Sequence, residues 1–159
     1  MKTIPLFNSD LVALVDDEDY ESLIGFRWYR QNMGYAIRGS GYNKVLMHRQ
    51  IMVFPENGVD HIDRNKLNNT RSNLRPANQS QNMCNSAPEH YNTKRSRTKF
   101  RGVSWDSARK RWFSYIKANG ALIHLGRFDS DVEAAEVRDK AALKLHGEFA
   151  SLNFQPAPL

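Results

Sequence analysis

The sequence predicts an α+β protein made of two small modules, and three observations support this prediction. The first half alternates short apolar runs with turn residues, whereas the second half has three aromatic and β-branched runs followed by one helical pattern. Between the halves, residues 87–99 carry a proline and several cations but almost no apolar side chain, which is typical of a linker. We therefore expect a first domain at 1–86, a basic linker at 87–99 and a second domain at 100–159.

The first domain is predicted to be rich in short strands. Residues 11–15 are apolar and precede an acidic turn at 16–19, after which Tyr20, Leu23 and Ile24 form one amphipathic helical turn. Residues 26–30 and 35–38 flank Gln31-Asn32-Met33-Gly34, whose composition predicts a hairpin. The elements predicted after it are a strand at 45–47, a short helix at 48–53 and a strand at 58–62.

The second domain is predicted to be a three-stranded antiparallel sheet packed on one helix. The strands are expected at 102–105, 111–117 and 122–128, and Asn119-Gly120 predicts a tight hairpin between the last two. Ser130 is a good N-cap with Glu133 three residues later, and Gly147 marks the end of the helix. The residues expected to face the sheet are Ala134, Val137, Ala141 and Leu145.

Positive charge is concentrated in the second half of the chain. The net charge is +6, and residues 94–127 hold ten Lys and Arg against Asp106 alone, whereas residues 1–60 hold six against eight acids. A basic block interleaved with aromatics is typical of a nucleic-acid surface, and a solvated charged face is the alternative. Because the block falls on predicted strands that carry tryptophans, the sequence favours double-stranded DNA as the partner.

Cysteine content and hydropathy exclude several classes of protein. Cys84 is the only cysteine, so neither a disulfide framework nor a cysteine-rich zinc site is possible within the chain. The N-terminus reaches acidic residues too early for a signal peptide, and no apolar run approaches the roughly 20 residues of a membrane span. We expect a cytoplasmic protein with no membrane partner, located in the host cytoplasm if the gene belongs to a phage.

The densest chemistry lies between Val59 and Asn82. A short predicted strand ends in Asp60 and His61, and a polar loop, a second strand and a helix capped by Asn78 and Gln81 follow. His61 has the side chain of a general base, and Asp60 offers the hard oxygen that Mg²⁺ or Mn²⁺ prefers. Adjacent strand residues point to opposite sides, so both serve one site only at a strand end or bulge. An asparagine can fix the histidine tautomer, and spacing alone does not choose among the several present.

These residues resemble the HNH nuclease family, the ββα-metal fold, in the zinc-free subgroup typical of phage and intron-borne homing endonucleases. The matching pattern is Asp-His-x-Asp-x-Asn, Asn-Asn, Asn-Leu-Arg and a helical Asn. The resemblance implies that His61 is the general base, that Asn73 orients it, and that Asp60 and Asn82 bind one divalent metal, Mg²⁺ or Mn²⁺, without zinc. It also extends to His48, for which a supporting contact and a phosphate contact are both open. The remaining loop residues of the pattern are interpreted mainly as turn residues: Asp63, Asn65, Asn68 and Asn69.

Residues 100–154 resemble the plant ethylene-response-factor type of DNA-binding domain. The matching landmarks are Arg101-Gly102-Val103, Arg111-Trp112, Leu125-Gly126-Arg127-Phe128, the alanine-rich helix, and the segment 147–154. The resemblance implies that one sheet face enters the major groove and contacts DNA through Arg101, Ser104, Trp105, Arg109, Arg111, Tyr115, Lys117 and His124. Alternation independently places residues 111, 113, 115 and 117 on one face and Trp112 and Ile116 under the helix. Four of these positions depart from the plant pattern (Ser104, Tyr115, Lys117 and His124), so the base preference stays open.

The predicted function is a metal-dependent DNA endonuclease that hydrolyses phosphodiester bonds, by nicking or double-strand cleavage, and is positioned by its second domain. The alternative is a non-catalytic DNA-binding regulator with a vestigial nuclease module. An RNA-cleaving enzyme is a more distant possibility, because it has less need of a domain that contacts a duplex groove. The presence of the complete set Asp60, His61, Asn73 and Asn82 favours the enzyme.

Overall fold

The protein, described by a computed structural model, forms two compact units. The structure describes residues 1–85 and 97–154, and the units are Met1–Asn82 and Met83–Leu159. Residues 87–96, most of the predicted basic linker, lie outside the described residues.

The first unit consists of small antiparallel sheets and short helices. The sheets are β1-β2, β3-β4-β5 and β6-β7. The strands are β1 (Lys2–Pro5), β2 (Val12–Val15), β3 (Tyr29–Arg30), β4 (Ala36–Arg38), β5 (Val45–Leu46), β6 (Gly58–His61) and β7 (Leu74–Ala77). The helices are α1 (Asp17–Ile24) and α2 (Met47–Ile51), and α3 (Gln79–Cys84) begins at the end of the unit. The predicted hairpin between β3 and β4 is confirmed, whereas β1 was not predicted.

The core of this unit holds the site-bearing elements in place. Trp28 is fully buried and donates from its indole Nε1 to the Leu23 carbonyl at 2.9 Å. Met47 from α2, with Val59 from β6 and Leu74 from β7, belongs to the same buried cluster. Burying a large apolar side chain stabilises a fold by about 1.5–3 kcal/mol. The hydrophobic core therefore fixes α2 against the β6-β7 hairpin.

The predicted strand–loop–strand–helix order is confirmed between Gly58 and Cys84. In the β6-β7 hairpin, Gly58 pairs with Ala77 and His61 pairs with Leu74. At the start of α3, the Gln81 backbone N–H donates to Asn78 Oδ1 at 2.9 Å, and the Asn78 N–H donates to Gln81 Oε1 at 2.8 Å. This reciprocal capping box starts the helix directly after the second strand.

The second unit is an antiparallel sheet packed against one helix. The strands are β8 (Val103–Asp106), β9 (Arg111–Ala118) and β10 (Ala121–Phe128), in the order β10-β9-β8, and the helix is α4 (Asp131–His146). Val103, Ala134 and Ala135 form the buried centre, where small alanine side chains bring the helix backbone close to the sheet. Ser114 Oγ accordingly reaches the Ala134 carbonyl at 2.8 Å.

The buried side of α4 differs from the predicted apolar stripe. Leu145 is 42% exposed, and the buried helix residues are Ala134, Ala135, Arg138, Asp139 and Ala142. Asp139 accepts from the backbone N–H groups of Asn153 and Phe154 at 2.7 and 3.0 Å, and Arg138 donates to the Ser151 carbonyl. The helix turns this polar pair inward because the segment after it supplies hydrogen-bond partners.

The ends of α4 follow their sequence signals. Ser130 Oγ accepts from the Val132 N–H at 3.1 Å, and Gly147 has φ +54° at the C-terminus, a conformation that suits glycine. Within residues 1–85 and 97–154, no helix combines the length and apolar character that crossing a membrane requires.

Candidate functional site

Asp60 and His61 lie at the end of β6, and both residues are only 4% exposed. Cross-strand pairing places Asp60 opposite Arg75 and His61 opposite Leu74. Because neighbouring strand residues point to opposite faces, His61 lies on the core side with Leu74, and Asp60 lies on the other side with Arg75. His61 is the last residue of the strand, so the two groups can approach a common site only around the strand end.

The His61 imidazole is held by an amide and two aromatic rings. Its Nε2 lies 3.3 Å from Asn69 Oδ1, and its ring centroid lies 5.0 Å from that of His48 and 5.9 Å from that of Tyr35. Burial lowers the pKa of His61, although the bond to Asn69 and the charge of Asp63 act in the opposite direction. The neutral imidazole therefore predominates at pH 7, and donation from Nε2 to Asn69 leaves the lone pair on Nδ1.

Asn73 lies directly before β7, and its side-chain amide forms hydrogen bonds with the loop that follows His61. Its Oδ1 accepts from the Asp63 N–H at 2.9 Å, while Nδ2 donates to Asp63 Oδ1 at 2.9 Å and to the Asn68 carbonyl at 2.8 Å. The contact to the imidazole that the resemblance implied for Asn73 is made in this structure by Asn69. Asn73 instead closes the polar loop that carries Asn69 to the histidine.

Asp60 forms a buried ion pair with Arg75 across the hairpin. Arg75 donates from Nε at 2.9 Å and from Nη2 at 2.7 Å, and both bonds end on Asp60 Oδ2. The side chains are 5% and 11% exposed for Asp60 and Arg75, respectively. The guanidinium therefore neutralises the carboxylate at the position that the sequence assigned to a metal ligand.

Asn82 lies on α3 against the same strand. Its Nδ2 donates to the Val59 carbonyl at 3.3 Å, so the amide lies beside the residue that precedes Asp60. Among the described residues, its Oδ1 accepts no hydrogen bond from the protein. A carboxylate and an amide oxygen are hard ligands of the kind that Mg²⁺ prefers. The donor set thus fits the expected cation.

His48 lies inside the fold next to His61 rather than on the surface. The residue is 5% exposed, its ring stands edge-on to that of His61, and its centroid is 5.2 Å from that of Tyr35. Burial, with a smaller contribution from His61, lowers the pKa of His48 to about 3. Its Nδ1 is buried without a hydrogen-bond partner among the described residues. Of the two roles that the sequence left open, this position matches a supporting contact to His61.

Sequence reasoning missed three residues around the site, namely Tyr35, Asn69 and Arg75. Burial, with a further contribution from Asp60, raises the pKa of the Tyr35 phenol, so this group lies within electrostatic range of the carboxylate. Asn69 was one of several asparagines that could fix the histidine tautomer and was interpreted mainly as a turn residue, because nothing local distinguishes it from Asn68. The signal for Arg75 was present, because pairing two four-residue strands across this loop places it opposite Asp60.

The outer face of the second unit's sheet points away from α4 and carries most of the predicted DNA contacts. Cross-strand pairs share a face, and Ser104 pairs with Phe113, His124 with Tyr115, and Leu122 with Lys117. The predicted residues on this face are Ser104, Arg111, Tyr115, Lys117 and His124. The same face also carries four residues that the sequence did not assign to DNA contact: Asp106, Phe113, Leu122 and Arg127.

Three predicted DNA contacts lie elsewhere. Trp105 pairs with Trp112, and their ring centroids are 5.1 Å apart, so it shares the helix-side face instead of the outer one. Alternation requires this, because Ser104 and Asp106 occupy the outer face on either side of it. Arg109 lies in the β8-β9 turn, 62% exposed, and Arg101 lies before β8, where its guanidinium donates to the Cys84 carbonyl at 3.0 Å.

Two aspartates hold the arginines at one end of the outer face. Arg111 donates from Nε and Nη2 to the two Asp129 oxygens, both at 2.8 Å. Asp106 accepts from Arg109 and from Arg127, each at 3.3 Å. A cavity of about 370 Å³ opens beside these groups, lined by Asp106, Phe113, His124, Gly126 and Arg127. Exposed pairs of this type contribute about 0–1 kcal/mol to stability, so they remain available to a polyanion.

Comparison with known proteins gives relatives for the chain as a whole and for part of it. The chain is 32% identical over 148 residues to an uncharacterized HNH endonuclease of Acanthamoeba polyphaga mimivirus, which covers 89% of this chain and 74% of the relative. It is 33% identical over 92 residues to Protein 3.8 of Escherichia phage T7, and this match covers 58% of this chain and 72% of that protein. A match of 65 residues to APETALA2-like protein 2 of rice (Oryza sativa subsp. indica) is 40% identical but spans 15% of that protein. No family model matches the chain.

Proposed function

The chain belongs to the HNH endonuclease family, and from this premise we propose that it is a metal-dependent endonuclease that hydrolyses phosphodiester bonds in double-stranded DNA. The proposal includes the ββα-metal arrangement of β6, β7 and α3. It also includes an ethylene-response-factor type of DNA-binding domain in the second unit, which positions the cleavage. One observation carries the proposal, namely the buried neutral imidazole of His61, held by Asn69 next to Asp60.

His61 acts as the general base. With its Nε2 proton donated to Asn69, the Nδ1 lone pair takes a proton from the attacking water, and the imidazolium forms. The Asn69 carbonyl oxygen stabilises that cation, and His48 and Tyr35 restrict the ring's rotation on two sides. Asp63 supplies additional negative charge near the ring. Together with Asp60, Asp63 favours the protonated imidazolium, whereas burial and the charge of Lys66 keep the imidazole neutral before the reaction.

Asp60 and Asn82 would hold the metal, one from β6 and the other from α3. A bound Mg²⁺ or Mn²⁺ supplies positive charge for the scissile phosphate and the leaving oxygen. The Nε and Nη2 bonds from Arg75 both end on Oδ2 of Asp60, and in the proposed site Oδ1 would be the oxygen that binds the cation. We assign to Arg75 the role of orienting Asp60.

The second unit would bring DNA to this site. Its outer face carries Arg111, Lys117 and Arg127, and cations on one sheet face suit a groove bordered by phosphates. The match to the rice protein spans 65 residues, 40% of this chain, which is long enough for a small domain. Binding by this face would confine cleavage to sites near its contacts.

The decisive experiment is cleavage of supercoiled plasmid with Mg²⁺, with RNA as a parallel substrate. His61→Ala should lower the rate by about 10²–10⁴-fold while leaving DNA affinity near that of the native protein, because a general base contributes little to ground-state binding. His146→Ala, which changes a histidine at the end of α4, is the matched control and should cut normally. Cleavage by His61→Ala within tenfold of the native rate, or cleavage of RNA alone, would contradict the proposal.

One observation favours a non-catalytic DNA-binding role as the second candidate. The Arg75 guanidinium already neutralises Asp60, so a vestigial site could keep its structure without a cation. Magnesium titration separates the two candidates. An enzyme should show Mg²⁺-dependent cleavage that weakens in Asp60→Ala and Asn82→Ala, whereas a regulator should bind duplex DNA without cutting it at any Mg²⁺ concentration.

A further inference from the structure

The middle of the outer sheet face is apolar and aromatic. Phe113 and Tyr115 stack with ring centroids 5.5 Å apart, and the His124 ring lies 6.2 Å from Phe113. Leu122, at the start of β10, is 55% exposed although it is a large apolar residue. Leu122 lies beside these rings, at the end of the face where β10 begins, and together they form one apolar area. A contiguous apolar area of this kind suits a partner with apolar atoms of its own.

The cations of this face lie at its ends. Lys117 is next to Leu122 at one end of β9. Arg111 lies at the other end, where its Nε and Nη2 groups donate hydrogen bonds to the Asp129 carboxylate. Arg127 is engaged by Asp106. Specific contact with guanine is most often made by an Arg or Lys side chain directed at the O6 and N7 atoms of the base. The arginines of this face are directed at carboxylates at its margin, where they suit phosphates better than bases.

From these two features we infer that the second unit recognises thymine in its target through the 5-methyl group. This inference rests on the proposed function, because it takes the outer face to be the surface that enters the major groove. The thymine methyl is the apolar group that base pairs present in the major groove, and apolar side chains recognise it by contact. Leu122 is the principal contact, and Phe113 and Tyr115 form the apolar surface beside it.

The size of the effect follows from burial of a single methyl group. Removing one buried methyl from the interface weakens binding by about four-fold, or ~0.8 kcal/mol. Replacement of thymine by deoxyuridine makes this change and alters no hydrogen bond in either groove. Two such contacts in one site should therefore lower the affinity by more than tenfold.

The experiment uses the full-length protein in EDTA, so that binding is measured without metal-dependent cleavage. Preferred duplexes are first selected from a random pool, and each thymine of the selected site is then replaced by deoxyuridine. We expect thymines in the bound core, with about a four-fold loss of affinity at each contacted position. Leu122→Ala should reduce the ratio of thymine to deoxyuridine affinity towards one. The neighbouring change Lys117→Ala is the control and should weaken both duplexes equally.

The outcomes separate this inference from the proposed function. Equal binding of thymine and deoxyuridine duplexes would overturn the inference and leave the DNA-binding role intact. A methyl preference that survives both Leu122→Ala and Phe113→Ala, in variants whose circular dichroism shows a native fold, would overturn it as well, because the methyl is then recognised elsewhere. Absence of binding to any duplex would refute the proposed DNA-binding role and the inference together.

Discussion

The buried histidine pair should make the first unit less stable in mild acid, and His48 should contribute most to this loss of stability. Its pKa is lowered from 6.5 to about 3 in the folded protein, mainly by burial. Between these values the unfolded chain binds a proton that the folded chain does not bind. Stability that is complete above pH 6.5 is therefore lost progressively as the pH falls towards 3.

The magnitude follows from the difference between the unfolded pKa and the assay pH. An assay pH of 5 lies 1.5 units below the pKa of 6.5 that the imidazole has in the unfolded chain. At about 1.36 kcal/mol per unit, protonation of the unfolded chain lowers the free energy of unfolding by about 2 kcal/mol. For a unit of this size, 1 kcal/mol corresponds to about 4–8 °C in the unfolding temperature. Burial lowers the pKa of His61 too, so the native protein should lose at least this much stability between pH 7.5 and pH 5.

The assay is urea unfolding followed by the fluorescence of Trp28, which lies in the core of the first unit. Trp105 and Trp112, which are in the second unit, are replaced by phenylalanine so that they do not contribute to the signal. His48→Phe keeps an aromatic ring in place and should remove about 2 kcal/mol of the pH-dependent loss. His124→Phe, on the exposed outer face of the other unit, should leave it unchanged. Equal pH dependence in His48→Phe and the native protein would refute the reasoning.

Three further predictions concern the site and the division of labour. Asn69→Ala should lower kcat for plasmid nicking by about 10–100-fold, whereas Asn73→Ala should mainly cost about 1–3 kcal/mol of unfolding free energy. If a fully folded Asn73→Ala variant loses more activity than Asn69→Ala, then Asn73 is the residue that orients His61. Arg75→Ala, which removes the guanidinium from buried Asp60, should cost about 3–5 kcal/mol in urea unfolding, and unchanged stability would contradict the ion pair's importance. The fragment 94–159 should fold alone and bind duplex DNA without metal, with an affinity that falls steeply as salt rises in a gel-shift titration. If this fragment shows no affinity for duplex DNA at low salt, while the first unit binds as well as the whole chain, the assignment of the two modules is wrong.

The sequence by itself determined the features that depend on neighbours within a few residues. The Asn78–Gln81 capping box, the Ser130 cap and the end of α4 at Gly147 all form between groups at most four positions apart. Alternation within β9 likewise placed Ile116 on the helix side, where it is 3% exposed. Hydrogen bonds and side-chain direction at this range follow from backbone geometry alone, so a pattern suffices to predict them.

The tertiary structure decided which distant groups meet. Asn69 and Asn73 are alike in sequence chemistry, and only the closure of the loop brings Asn69 to His61. Trp105 lies on the helix side of the sheet, and not on the predicted outer face, because its cross-strand partner is Trp112. A shift of one residue in this register would place it on the outer face. The inward turn of Arg138 likewise depends on Ser151, thirteen residues away. Contacts of this kind depend on strand register and on partners supplied by other segments, and no local pattern in the chain encodes them.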